Sequence, residues 1–84
     1  MGNLRLSIHS NEHSYLRQLL LKQRQHLGLS QRELGNKLGV VHSLVGKIET
    51  GDRRLDVFEF IEYCKSLNLD PVTVLSELQD KFSS

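Results

Sequence analysis

Between Leu29 and Gly51 the chain reads LSQRELGNKLGVVHSLVGKIETG, and this stretch restricts the fold more than any other. Its apolar residues have helical spacing, yet glycine interrupts them at Gly35, Gly39 and Gly46. A glycine inside a helix costs ~1 kcal/mol relative to alanine, so each one needs a local cause. Ser30-Gln31-Arg32-Glu33 has the form of a capping box, in which the serine accepts from a backbone N–H three residues on and the glutamate reaches back. It predicts a helix starting at Gln31 with Leu34 and Leu38 on one face. Gly39 supplies the left-handed residue that ends such a helix in a tight turn. A further helix over about 42–50 follows, with Val45 and Ile48 on its inner side and Gly51 closing it. Two short helices across a turn of this length make a helix-turn-helix at about 30–50. A side chain at position 35 would sit where those helices approach, which gives Gly35 a packing reason.

The rest of the chain reads as three more helices. One follows Ser10 as N-cap, with Glu12 in its first turn, a stripe of Leu16, Leu19, Leu20 and Leu27, and Gly28 as its stop. Asp56 with Glu59 opens another, whose inner face is expected to be Val57, Ile61, Cys64 and Leu67. Asp70-Pro71 places a cap before a proline at the first helical position, and Leu75 with Leu78 marks the inner face of the last helix. The expected fold is therefore all-α, a compact five-helix domain. Its limits are drawn at residues 10–81, with a tail at 82–84 and an arm at 1–9. In the arm Leu4, Leu6 and Ile8 alternate with Arg5 and Ser7, which is strand period. The arm packs on the domain, pairs with the same segment of a second chain, or is a partly ordered tail.

Eighty-four residues make one small domain that buries roughly 60% of its unfolded surface, a poor setting for a deep catalytic cleft. One cysteine forms no internal disulfide, and Cys64, on the apolar side of its helix, reads as a buried inert thiol. The N-terminus lacks the pattern of a signal peptide, and no run approaches the ~18 apolar residues of a membrane helix, so cytoplasm is the expected setting. Residues 1–54 carry nine Lys and Arg against four Asp and Glu, whereas residues 55–84 carry two against six. Either this is an ordinary mixed surface or one end of the molecule faces a polyanion. His9 and His13 have metal-ligand spacing, but no third ligand is evident. No nucleophile, base and orienter share a usable spacing, and no glycine loop follows a strand, so neither an enzyme nor a cofactor is expected. The aromatic residues Tyr15, Phe58, Phe60, Tyr63 and Phe82 follow helical spacing, which points to core or dimer contacts.

From about Leu19 to Leu78 the sequence resembles the lambda-repressor/Cro-like (XRE-type) helix-turn-helix family of transcriptional regulators. The resemblance is carried by Arg24, by GLSQRELG at 28–35, by LGVVHSLVGKIETG at 38–51 and by the position of DPVTVL. It implies a lambda-repressor-like domain that binds operator DNA as a homodimer, most often as a repressor on a palindromic site. In that arrangement the second helix of the motif enters the major groove. The outward positions His42, Ser43, Gly46 and Lys47 are then the base-reading candidates, with Gly46 either admitting the helix closer to the groove floor or simply tolerated. Ser30 and Gln31 stand at a helix start suited to a phosphate, and Gln31 occupies the position of the family's phosphate-contacting glutamine. Arg53 and Arg54 are placed for the flanking backbone. Arg24 and Glu49 occupy the positions of the family's structural ion pair.

Two departures from the family pattern stand out. Val41 replaces the common Ser or Thr cap, and Leu44 replaces a residue that is often polar, leaving it to touch a thymine methyl or pack inward. Two other functions remain open from sequence. One is an antitoxin-type repressor that also binds a toxin protein through the acidic C-terminal part. The other is a protein-interaction adaptor that has lost DNA reading.

Overall fold

The computed structural model describes residues 10–82, which form five helices: α1 Asn11–His26, α2 Gln31–Leu38, α3 His42–Thr50, α4 Val57–Ser66 and α5 Pro71–Phe82. The arm expected at residues 1–9 lies outside the described residues. No described helix is long and apolar enough to cross a membrane.

The helix starts follow from local chemistry. Ser10 accepts from the His13 N–H at the head of α1. At α2 the Ser30 hydroxyl accepts from the Glu33 N–H at 3.0 Å while the Glu33 carboxylate accepts from the Ser30 N–H at 2.8 Å, which completes the capping box. Asp56 and Glu59 repeat this exchange at α4. Asp70 caps α5 through the Val72 N–H, with Pro71 filling the first helical position, where its missing N–H costs nothing. α5 continues through Phe82, the residue at which the sequence places the start of the tail.

Each helix contributes to one core. Leu20 comes from α1, Leu34 from α2, Val45 and Ile48 from α3, and Val74 from α5. Phe60, Tyr63, Cys64 and Leu67 form the contribution of α4 and its cap. Two inner faces differ from the sequence expectation. On α4, Cys64 and Leu67 are buried but Val57 is exposed and Ile61 half-buried, because the core lies against the stripe 60, 63, 64 and 67. On α5 the buried residue is Val74, with Leu78 half-buried and Leu75 exposed. Of the aromatic residues, Phe60 and Tyr63 are core. Tyr15 packs edge-on against Phe82, and its hydroxyl donates to Glu77, which joins α1 to α5. The Gln23 side-chain amide donates to the Leu67 carbonyl at 2.8 Å and fixes α1 to the end of α4.

Candidate nucleic-acid interface

α2 and α3 are joined by Gly39, whose φ of 73° is a left-handed conformation that disfavours any side chain. Their close crossing has a second glycine cause. A Cβ built on Gly35 would lie 2.9 Å from the Val40 carbonyl oxygen and 3.3 Å from the His42 Cα, so only hydrogen fits there. The third interruption is different. At Gly46 a Cβ would meet nothing nearer than the Gln31 Oε1 at 3.5 Å, an ordinary contact, so packing does not require glycine at that position.

α3 is held against the body by Val45 and Ile48, both buried. His42, Ser43 and Lys47 are exposed, and Gly46 is half-exposed beside Gln31. Leu44 is half-buried and packs against the core, which settles its direction in favour of inward packing. Val41 adopts the extended backbone of an N-cap, but no side-chain bond is made to the first turn. The free N–H groups at the start of α3 therefore lack the partner that Ser or Thr would provide.

A polar knot fixes the angle of α3. The Arg24 guanidinium donates to the Glu49 carboxylate through Nε at 2.6 Å and Nη2 at 3.1 Å, and through Nη1 to the Leu29 carbonyl at 2.8 Å. The two side chains are 12% and 6% exposed. The Gln31 amide donates to the same carboxylate at 2.9 Å, so α1, α2 and α3 meet at Glu49. A carboxylate near the C-terminal end of a helix opposes the helix dipole, and Arg24 offsets that repulsion. Beside the knot lies the Tyr63 hydroxyl, buried and without a hydrogen-bond partner among the described residues. Burial drives its pKa upward, and the charge of Glu49 adds to the rise. In Cys64, burial pushes the thiol up to about 11, which leaves it unreactive at neutral pH.

The four phosphate candidates are engaged to different degrees. Ser30 spends its hydroxyl and its N–H on the capping box, whose Glu33 carboxylate is held below its ordinary pKa by the Ser30 N–H. Gln31 is committed through its amide nitrogen to Glu49. Arg53 forms a two-pronged pair with Glu59, at 2.9 and 2.7 Å, and also donates to the Arg54 carbonyl. These bonds lower the Glu59 pKa to about 2. Arg54 is exposed. Sequence reasoning missed the side chains that join this group. Arg17 and His13 of α1 line a shallow cleft with Arg53 and Arg54, and the Arg17 guanidinium lies 3.0 Å from where a Gly51 Cβ would stand. Neither the periodicity of α1 nor any local motif signals this convergence, since it depends on how α1 crosses the α3–α4 connection.

Two short helices in contact across a glycine turn, one of them anchored by buried apolar residues and exposing a polar face, define a helix-turn-helix domain. Comparison with known proteins agrees: the helix-turn-helix family HTH_3 matches residues 20–74. Among solved structures, the chain is similar to an XRE-family like protein from Pseudomonas syringae pv. tomato str. DC3000, with a TM-score of 0.83 and 40% identity over 89% of this chain and 92% of that one. Comparison with curated protein sequences gives no match. The chain belongs to the XRE-type helix-turn-helix family of DNA-binding regulators.

Proposed function

We propose that this protein is a sequence-specific transcriptional regulator, a repressor that binds a palindromic operator as a homodimer with α3 in the major groove of double-stranded DNA. The outer face of α3 carries the reading. Its three polar side chains, His42, Ser43 and Lys47, are exposed on a helix whose other face is fixed by Val45, Ile48 and the Glu49 knot. A rigid helix holding a few donors toward solvent is what base-edge readout needs. Lys47 reaches guanine O6 and N7, while His42 and Ser43 donate to or accept from base edges. Gly46 keeps the backbone close to the groove floor.

Affinity comes from the phosphates on either side. The head of α2 at Ser30 and Gln31 meets one backbone strand. On the other side Arg54 acts with Arg17 and His13, and Arg53 joins them by exchanging Glu59 for phosphate. The test is fluorescence anisotropy on the duplex directly upstream of the protein's own gene, across a salt series. The expected result is an affinity falling linearly with salt on logarithmic axes, with Lys47→Ala losing ~1–3 kcal/mol of preference over a scrambled duplex. Weak binding that is flat in salt and unchanged by the variant would overturn the reading.

A further inference from the structure

The glycine on the outer face of α3 opens onto a side chain of the neighbouring helix. A Cβ on Gly46 would stand 3.5 Å from the Gln31 Oε1 and 3.9 Å from both Cδ and Nε2, so the oxygen is the part of the amide nearest to it. Gly46 lies one helical turn on from His42 and Ser43 and immediately before Lys47, in the middle of the reading face. A free glutamine amide turns over and exchanges its donor end for its acceptor end. This one is held. Nε2 donates to the Glu49 carboxylate at 2.9 Å, and since a carboxylate only accepts, reversing the amide would set oxygen against oxygen. Glu49 is itself fixed by two bonds from Arg24. The Gln31 oxygen is therefore a fixed acceptor, and among the described residues no hydrogen bond is made to it.

On the footing of the DNA-reading role above, we propose that the Gln31 carbonyl oxygen reads the exocyclic amino group of a base, N6 of adenine or N4 of cytosine, through the gap left by Gly46. Those amino groups are the only hydrogen-bond donors on the major-groove edges. Guanine O6 or thymine O4 in the same place would face the oxygen acceptor to acceptor, so the contact discriminates by repulsion as well as by attraction. It complements Lys47, which only donates. A backbone phosphate offers acceptors alone and has no use for this oxygen. The N–H groups at the head of α2 remain for the phosphate, and the side-chain oxygen faces the bases. Alanine at position 46 would cover the oxygen with a methyl group, which gives glycine a cause on this face that packing does not supply.

The test selects preferred duplexes from a randomised pool with the full chain, with Gly46→Ala and with Gln31→Met, and measures their affinities by fluorescence anisotropy. In the parent, one position of each half-site should favour adenine or cytosine over guanine and thymine by roughly three- to tenfold, the worth of one hydrogen bond. Both variants should lose that preference while Gly46→Ala keeps the preferences at other positions. Gly46→Ala should melt no lower than the parent, since alanine is the better helix former, so its loss is not one of folding. Duplexes carrying the favoured base without its amino group, purine for adenine or 2-pyrimidinone for cytosine, should bind the parent as weakly as a mismatch and identify which base is read. A loss of affinity uniform across sequences would assign the Gln31 side chain to the phosphate and overturn the proposal. So would an unchanged preference in Gly46→Ala. A parent with no preference at any position would overturn the DNA-reading role itself, and this contact with it.

Discussion

Replacing Glu49 by alanine tests whether the polar knot, and not the apolar face alone, sets α3. The substitution removes the partner of an Arg24 guanidinium that is 12% exposed and strands the Gln31 amide with it. Breaking one side of a buried pair costs ~3–5 kcal/mol, because the remaining charge is left uncompensated. The residual exposure of Arg24, together with its surviving bond to the Leu29 carbonyl, places the expected cost at the lower end, ~3 kcal/mol. A domain of this size holds ~5–15 kcal/mol in all, and 1 kcal/mol moves its melting temperature by about 4–8 °C. Glu49→Ala should therefore melt ~12–24 °C below the parent, with a matching fall in urea midpoint at constant m-value. The double variant Arg24→Met with Glu49→Met separates a stranded charge from lost packing. Removing both charges should recover at least half of the loss, since apolar replacements of buried pairs are often neutral. A single-variant cost under ~1 kcal/mol, or a double variant as unstable as the single, refutes the reasoning.

Three further outcomes are expected. Gly35→Ala should destabilise by ~1–3 kcal/mol in urea unfolding despite alanine's better helix propensity, because its Cβ falls 2.9 Å from the Val40 carbonyl oxygen. Val41→Ser should stabilise by ~1 kcal/mol in the same assay, since position 41 already has the extended backbone of an N-cap and lacks only the acceptor. Glu59→Gln keeps the capping box but loses the charge that grips Arg53. The Glu59 pKa is depressed from 4.5 to about 2 on folding, so its contribution is full above pH 4.5 and is lost as the pH falls toward 2. The melting-temperature gap between parent and Glu59→Gln should close over that window; because the pair is more than a third exposed and screened, the gap at neutral pH corresponds to under ~1 kcal/mol. A gap that widens on acidification would contradict the assignment.

What the sequence made legible was local. Ser30 with Glu33, Asp56 with Glu59 and Asp70 before Pro71 announce helix starts through bonds made within three residues, and all three starts stand where the motifs put them. The roles of Gly35 and Gly39 are legible for the same reason, since a tight turn specifies its own neighbours. The α4 and α5 faces were harder. A helix rich in apolar residues offers more than one stripe, and only the approach of the other helices selects 60, 63, 64 and 67 over a stripe beginning at Val57. Asn68, with φ of 59°, follows α4 in a left-handed conformation, which asparagine signals more weakly than the glycines that close α2 and α3.

The same distinction between local and tertiary information explains the interface. Exposure of His42, Ser43 and Lys47 follows from helical period alone, because they lie opposite Val45 and Ile48. The state of the supporting cations does not. Arg53 and Arg54 look equivalent in sequence, yet Arg53 is held by Glu59 six residues on, and Arg17 arrives beside the pair from a helix far earlier in the chain. Gln31 is likewise drawn toward Glu49, so its amide nitrogen serves the fold before it serves any phosphate. Positions near the proposed DNA face thus divide by what already holds them. On the proposed reading, the exposed side chains of α3 determine preference. Gln31, Glu49 and Arg24 hold α3 in place, and exchanging them is expected to alter stability and, on the proposed reading, binding together.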